Sequence, residues 1–126
     1  MTLTLKLLDG RLAVCRLSAG ARIPAWALDP SPLTSVTRTA GEISVVCPEQ
    51  SVPSGTTAET GWRAFEVEGP LDFALTGVLA ALAQPLAAAG VTLFALSTYD
   101  TDYVLVKESA LEAARGALAA AGHRVL

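Results

Sequence analysis

Two short segments in the second half of the chain carry the residue types that could bind a small charged ligand. The first lies between a predicted strand and a predicted helix, where free backbone N–H groups and the positive end of the helix dipole favour a carboxylate. The second lies at the turn between two predicted strands, where hydroxyls, an aromatic ring and two carboxylates favour an ammonium group. The candidate ligand-binding residues are Gly69, Pro70, Leu71, Asp72 and Phe73 in the first segment, and Thr98, Tyr99, Asp100, Thr101 and Asp102 in the second.

A free amino acid carries both an α-carboxylate and an α-ammonium, and two strand-end loops of one sheet could hold both groups within a few Å. Each segment also has a purely structural interpretation. Asp72 has the residue type and position of an ordinary helix N-cap. Residues 98–102 could form a solvated hairpin turn whose side chains bond to one another. The residues by themselves leave both interpretations open.

Groups that could perform catalysis are sparse. The single histidine, His123, lies at a late junction between helix and strand, where we expect a partly exposed residue. Cys15 and Cys47 lie far apart without CxxC spacing, and we expect both to be reduced core residues of a cytoplasmic protein. No GxSxG elbow and no glycine-rich phosphate loop is present. We predict no catalytic residue, no metal site and no cofactor; a small enzyme that uses either cysteine with His123 is a weak third alternative.

Length and charge narrow the class of partner. The chain has 126 residues, 52% of them hydrophobic and 17% charged, which suits one folded body with a sizeable core. Nine basic and 12 acidic residues give a net charge of -3, so we expect no nucleic-acid partner. Residues 73–99 carry no charge, but Gln84, Pro85, Gly90 and acidic flanks argue against a membrane span. No secretory signal is evident at the start.

The second half of the chain has the more regular pattern. Residues 62–67 alternate as a strand, and apolar residues then recur at helical spacing from about Ala74 to Ala89. Asp72 would cap this helix, and Pro85 should kink it or divide it after Gln84. A hairpin of 91–98 with 103–106, a helix at 109–121 and a strand at 123–126 follow. The order βαββαβ predicts an α+β, ferredoxin-like fold with two helices on one face of an antiparallel sheet.

The first half carries a weaker version of this pattern. Residues 3–7 and 12–17 are predicted as a hairpin about Asp9 and Gly10, followed by a short helix at 24–28 and strands at 33–39 and 42–47. A shift of 60 positions superposes the second of these hairpins on residues 93–106 without a gap, which indicates a duplication. Residues 48–61 stand where a second helix would be. We therefore predict an abbreviated unit at 1–61 and a complete unit at 62–126.

Residues 69–77, 85–91 and 94–106 together resemble ACT domain proteins, and the run from Ser97 to Tyr103 is quite specific. The likeness is to small bacterial tandem-ACT proteins related to the CASTOR arginine sensors and to the regulatory domains of aspartate kinases. It covers most of 62–126, and the first half only through 42–49 and the repeat. The resemblance implies a pair of ferredoxin-like ACT units that bind an amino acid at an interface between units.

Carried over by position, the resemblance assigns the loop 69–73 to the ligand backbone. It places Thr98, Tyr99 and Asp102 in the pocket, with Asp102 as the contact to a cationic group. The longer sensors have more ACT units than this chain, which suggests a homodimer. The leading hypothesis is a cytoplasmic, non-catalytic regulatory protein whose partner is a free amino acid. The alternative is a protein–protein interaction or assembly module with no small-molecule ligand.

Overall fold

Eight strands and two α-helices are present in the computed structural model, which describes residues 1–126 without a gap. The chain divides into a larger unit, Met1–Leu8 with Arg63–Leu126, and a smaller unit, Asp9–Trp62. Single 3₁₀ turns cover Ala25–Leu28, Glu49–Ser51 and Glu108–Ala110. The regular elements are β1 (Thr4–Leu7), β2 (Leu12–Leu17), β3 (Ser35–Arg38), β4 (Ile43–Pro48), β5 (Thr57–Val67), α1 (Val78–Ala88), β6 (Leu93–Ser97), β7 (Asp102–Lys107), α2 (Leu111–Ala120) and β8 (Arg124–Val125).

The larger unit has the predicted α+β, ferredoxin-like fold with one additional strand. Its sheet runs in the order β6, β7, β5, β1, β8. Without β1, this is the strand order of a βαββαβ fold. Both helices bury their apolar faces on one side of the sheet, because their apolar residues recur every three or four positions. The buried cluster comprises Leu3, Leu5, Phe65, Val67, Val78, Leu82, Leu86, Val91, Val104, Val106, Ala114 and Leu118.

The additional strand, β1, overturns the predicted hairpin between the first two strands. Instead of pairing with β2, β1 lies antiparallel to β5 and parallel to β8. This position buries Leu3 and Leu5 in the core of the larger unit, which stabilises the fold by about 2 kcal/mol for each leucine. Residues 1–8 therefore belong with the second half of the chain, whereas the sequence pattern assigned them to a unit at 1–61.

The smaller unit has the same strand order as a ferredoxin-like fold, but no α-helix. Its strands lie in the order β3, β4, β2, β5, and 3₁₀ turns stand where the two helices of such a fold would be. A proline directly precedes each turn, and single turns cover less of the sheet than full helices do. One buried cluster of the unit comprises Ala13, Cys15, Ala27, Ile43, Val45 and Cys47. Leu12, Leu33, Val46 and Trp62 are buried as well.

Helix α1 is continuous through Pro85, so the division after Gln84, one of the two outcomes that the sequence predicts, does not occur. Proline has no N–H, so the carbonyl of Ala81 loses its helical partner. The Nε2 atom of His123 lies 3.0 Å from that carbonyl oxygen, and Nδ1 accepts the N–H of Leu3 at 3.1 Å. These contacts require the tautomer that carries its hydrogen on Nε2. His123 is only 6% exposed, so the expectation of a partly exposed residue is wrong.

Candidate functional site

An open cavity of about 330 Å³ lies in the larger unit, between the β5–α1 loop and the β6–β7 turn. The loop, the first turn of α1 and the β6–β7 turn all contribute to it. Eight of the ten candidate residues from the sequence line this one cavity. The complete lining is Leu71, Asp72, Phe73, Leu75, Gly77, Val78, Leu79, Ser97, Thr98, Tyr99, Asp100, Thr101 and Asp102.

One backbone hydrogen bond joins the two candidate segments, and a side-chain bond ties the second segment to the end of β5. The N–H of Leu71 donates to the carbonyl oxygen of Asp100 at 2.7 Å, and the hydroxyl of Thr101 donates to the carbonyl oxygen of Val67. Gly69 fits closely between them, since a Cβ at this position would lie 3.1 Å from the Asp100 carbonyl oxygen. Gly69 therefore acts by permitting the close approach of the loop, and it does not line the cavity.

The β6–β7 turn is held by its two threonines. The N–H of Thr98 donates to the carbonyl oxygen of Thr101 at 2.8 Å, and the Thr98 hydroxyl accepts the N–H of Thr101 at 3.3 Å. These bonds fix the backbone of the turn and leave Tyr99 and Asp100 exposed at its tip. At the base of the turn, the Ser97 hydroxyl donates to the Asp102 carboxylate at 2.6 Å.

Helix α1 begins later than the sequence pattern predicts, at Val78 instead of Ala74. Asp72 caps a separate turn: its Oδ1 accepts the N–H of Ala74 at 2.8 Å, and its carbonyl oxygen accepts the N–H of Leu75 at 2.9 Å. The expected helix N-cap at Asp72 is therefore wrong. The cap position is Gly77, whose φ of 84° lies in the left-handed region that glycine tolerates best.

This later start changes which backbone N–H groups near the cavity lack a helical partner. The first helical bond of α1 runs from the Ala81 N–H to the Gly77 carbonyl, so the N–H groups of Val78, Leu79 and Ala80 have no partner within the helix. Val78 and Leu79 line the cavity. The N–H groups of Leu71 and Ala74 are already bonded within the protein. The positive helix end therefore lies nearer to Gly77 than to the loop 69–73.

Large apolar side chains form an exposed rim around the cavity. Phe73 is 72% exposed and Tyr99 is 81% exposed. Their ring centroids lie 4.7 Å apart in an edge-to-face arrangement, which is a favoured geometry for an aromatic pair. Leu75 and Leu79 are also exposed beside them. The cavity thus has an apolar rim in addition to the polar residues of its lining.

The lining residues that carry a charge at neutral pH are all aspartates. Asp72, Asp100 and Asp102 line the cavity, and no lysine, arginine or histidine does. The carboxylate of Asp72 accepts a backbone N–H and that of Asp102 accepts a hydroxyl, as described above. A site of this composition attracts cationic groups and repels anionic ones.

Five lining residues were not among the candidates from the sequence. With Asp72 as the predicted N-cap, Gly77 falls inside the predicted helix, although it directly precedes the apolar run that opens α1. A helix start predicted at Val78 would have pointed to Val78 and Leu79 in its first turn and to Leu75 just before it. Pro70, which was a candidate, does not line the cavity. The added residues are Leu75, Gly77, Val78, Leu79 and Ser97.

The residues considered for nucleophilic catalysis have other contacts. Cys15 and Cys47 are free and buried, and their thiols hydrogen-bond to each other. Burial, reinforced by Cys15, raises the pKa of Cys47 to about 12, and burial also raises the pKa of Cys15. A thiol with a raised pKa is a poor nucleophile near neutral pH. Both ring nitrogens of His123 bond to the backbone.

No three histidine, cysteine or acidic side chains are grouped so as to hold a metal ion. Neither α-helix is long and apolar enough to cross a membrane. The uncharged run 73–99, which the sequence raised as a possible span, contains α1 and β6.

Comparison with models of known protein families shows the family to which the chain belongs. A family model described as an ACT domain matches residues 57–120, just over half of the sequence. The chain belongs to the ACT domain family. A second model, for an N-terminal domain, matches residues 10–55, so the smaller unit matches a model of its own. ACT domains are regulatory modules, and this membership indicates a regulatory, ligand-binding role for the chain.

Solved structures share the fold of this ACT protein. A protein of Agobacterium tumefaciens is 39% identical and superposes with a TM-score of 0.94 over 100% of this chain and 93% of its own. The regulatory subunit of aspartate kinase from Thermus thermophilus is 13% identical, with a TM-score of 0.63 over 91% of this chain and 94% of its own. Clostridium acetobutylicum aspartate kinase is 10% identical, with a TM-score of 0.69 over 95% of this chain and 34% of its own. A comparison with curated proteins finds no significant match.

Proposed function

We propose that this ACT protein is a non-catalytic, cytoplasmic regulatory sensor that binds a free amino acid in the cavity of its larger unit. The observation that carries the proposal is the 2.7 Å bond from the Leu71 N–H to the Asp100 carbonyl. This bond holds the two candidate segments side by side, so that one small ligand can contact both.

The two ends of the cavity have opposite polarity, as a zwitterion requires. At the start of α1, the free N–H groups of Val78 and Leu79 favour the α-carboxylate. At the β6–β7 turn, the Asp102 carboxylate can accept the α-ammonium while it keeps the Ser97 hydroxyl. The apolar rim then surrounds the rest of the ligand. A cavity of about 330 Å³ is within the range of small-molecule sites.

The proposal includes a homodimer in which a second copy covers the open side of the cavity. Phe73 and Tyr99 are unusually exposed for aromatic residues, and Leu75 and Leu79 extend the same apolar rim. A cover over this rim would exclude water from the ligand and strengthen its polar contacts. Membership of the ACT family supports the same arrangement, since ACT modules act through contacts between units.

Thermal unfolding of the purified protein against each of the twenty free amino acids tests the proposal. A ligand that binds only the folded state stabilises it by RT ln(1 + [L]/Kd), which is about 2.7 kcal/mol at 100 times Kd. We expect at least one amino acid to raise the melting temperature in a saturable manner. If none does at millimolar concentration, and calorimetric titration is also flat, the sensor function is wrong.

Asp102→Asn locates the binding in this cavity. The amide oxygen can still accept the Ser97 hydroxyl, so we expect the ligand-free melting temperature to stay nearly unchanged. The ligand-induced rise should fall strongly, because the variant lacks the charge that holds the α-ammonium. Asp9→Asn, an exposed turn residue of the smaller unit, is the matched control and should leave the rise intact.

The exposed rim also favours a second function, an assembly module that recruits a protein partner without a small ligand. Sedimentation of the protein with and without the stabilising amino acid separates the two functions. A dimer that the ligand strengthens supports the sensor. Assembly that no amino acid changes, and that Asp102→Asn leaves intact, supports the module instead.

A further inference from the structure

His123 is the single histidine of the chain, and the neutral form of its ring joins the start of β1 to α1. Its Nδ1 atom accepts the N–H of Leu3 at 3.1 Å, and its Nε2 atom donates to the Ala81 carbonyl oxygen at 3.0 Å. A neutral imidazole has one acceptor nitrogen and one donor nitrogen, so these two contacts use both. Because His123 is buried, water cannot readily replace either partner.

Uptake of a proton by the ring is incompatible with one of these contacts. An imidazolium carries a hydrogen on both nitrogens, and the hydrogen on Nδ1 would point at the N–H of Leu3. Two donors that face each other repel, and a buried donor without an acceptor costs free energy. The contact with Ala81 persists, because Nε2 donates in either form. Protonation therefore acts on the β1 side of the ring.

No charged group of the surrounding elements stabilises an imidazolium at His123. Helix α1 carries no ionisable side chain. The carboxylates of Glu68 and Glu112 are exposed, and Glu112 pairs with Arg115 at 3.8 Å. No ion pair joins a charged group to His123. The charged groups on the elements around the ring are the amino group of Met1, Lys6 of β1, Glu68 after β5, Glu112 and Arg115 of α2, and Arg124 of β8.

The segment that His123 holds also supports the base of the β5–α1 loop. Thr4, the residue after Leu3, accepts the N–H of Glu68 at 2.8 Å through its carbonyl oxygen. Glu68 directly precedes Gly69, the first residue of the loop whose later residues line the cavity. On the other side of β1, the Leu3 carbonyl accepts the N–H of Arg124 at 2.8 Å. Loss of the Leu3 contact would therefore weaken backbone bonds to both the loop and β8.

We propose that His123 is a pH-sensitive switch whose neutral form holds the start of β1 and whose protonation releases it, together with the base of the β5–α1 loop. The released chain binds the proton freely, whereas the folded form binds it only by giving up the Leu3 bond, so acid favours release. The contact is complete above the range in which histidine ordinarily titrates, about pH 6.5, and is lost progressively below it. The switch requires no ligand, so its test does not depend on the amino-acid site.

Amide hydrogen exchange between pH 5 and pH 8, followed by NMR and expressed as protection factors, tests the switch. We expect the protection of the Leu3 and Glu68 amides to fall about tenfold between pH 7 and pH 5, because uptake of one proton favours release by at most about tenfold for each pH unit. The Ala81 amide, which bonds to the Gly77 carbonyl within α1, is the internal control and should keep its protection. Unchanged protection at Leu3 would overturn the proposal. An equal fall at Ala81 would also overturn it, since that result indicates general unfolding.

His123→Gln assigns the pH dependence to the ring. Glutamine has an amide oxygen that can accept the Leu3 N–H and an amide nitrogen that can donate to the Ala81 carbonyl, and it does not titrate. We expect the protection of the Leu3 amide in this variant to be equal at pH 5 and pH 7. A fall as large as that of the parent protein would assign the effect to the carboxylates and overturn the role of His123.

The parent protein also allows a test that needs no substitution. Its one imidazole gives a single set of ring signals in the NMR spectrum. We expect the chemical shift of the Leu3 amide to change with the same pH midpoint as the ring signals, because one proton causes both changes. Different midpoints would show that protonation and release are separate events, and the switch would be wrong.

Discussion

The β3–β4 hairpin of the smaller unit and the β6–β7 hairpin of the larger unit have the same backbone and different tips. Ser35 pairs with Val46 in the first, and Phe94 pairs with Leu105 in the second, an offset of 59 positions in both strands. The 3₁₀ turns that follow, Glu49–Ser51 and Glu108–Ala110, keep this offset.

A threonine at the corresponding position fixes each of the two turns. The N–H of Thr39 donates to the Glu42 carbonyl at 2.9 Å and its hydroxyl accepts the Glu42 N–H, as Thr98 does with Thr101. The tip residues differ, because Ala40 and Gly41 of the smaller unit correspond to Tyr99 and Asp100. The threonine common to both turns therefore stabilises the turn backbone. The tip residues Tyr99 and Asp100 distinguish the turn that lines the cavity. The comparison separates what holds the hairpin from what a ligand would contact.

The units also differ in their helices, because only the larger unit has α-helices on its sheet. His123, which contacts α1 at the Ala81 carbonyl, allows this difference to be tested. Replacing His123 with phenylalanine leaves the Leu3 N–H and the Ala81 carbonyl unpaired. We expect a loss of about 3 kcal/mol in the free energy of unfolding, measured by denaturant titration. Pro85→Ala restores an N–H that can reach the Ala81 carbonyl, so the loss from His123→Phe should be about 1 kcal/mol smaller in that background. Additive effects of the two substitutions would contradict this account of the helix.

A pair of glycine substitutions compares the space around the two turns, since Gly69 packs against the β6–β7 turn and Gly41 lies within the β3–β4 turn. In Gly69→Ala, the added methyl group would lie 3.1 Å from the Asp100 carbonyl oxygen and 3.3 Å from the Thr101 Cβ, so the loop and turn must separate. We expect a loss of about 2 kcal/mol and a weaker ligand response. Gly41→Ala adds a methyl group whose nearest neighbour, the Thr39 hydroxyl, is 4.0 Å away, and its effect should stay within about 0.5 kcal/mol. Equal losses in thermal unfolding would show that the two turns are equally crowded.

Alkaline pH tests one titratable group in each unit. Burial, reinforced by the bond to Glu66, raises the pKa of Tyr103 in the larger unit from 10.0 to about 12. Burial raises the pKa of Cys47 in the smaller unit from 9.0 to about 12. In each case the unfolded chain loses its proton first, so stability is complete below the ordinary pKa and falls as pH rises toward 12.

Denaturant titrations between pH 8 and 12 check this expectation. Tyr103→Phe should remove the part of the decline that begins near pH 10, and Cys47→Ser the part that begins near pH 9. If both variants keep the slope of the parent protein, neither group contributes to the alkaline decline.

Periodicity and residue type predicted the elements of the larger unit well. The alternation at 62–67, the helical spacing around Leu82 and Leu86, and the hairpin up to Val106 all correspond to observed elements. The offset of the repeat was wrong by one position, 60 instead of 59. In a nearly continuous apolar strand such as β7, neighbouring alignments match residue types equally well, and only the hydrogen-bond register separates them.

The sequence by itself determined the α+β class, the order of strands and helices in the larger unit, and the two polar segments, because these follow from local periodicity and turn chemistry. Tertiary structure decided the position of β1, the continuity of α1 across Pro85 and the start of that helix at Val78. Each of these depends on a partner far away in the chain or on a choice between two local caps. The burial of Leu5 fixes β1, the contact of His123 with the Ala81 carbonyl stabilises α1 across Pro85, and the left-handed conformation of Gly77 sets the start of α1. Only the packed fold brings such partners together.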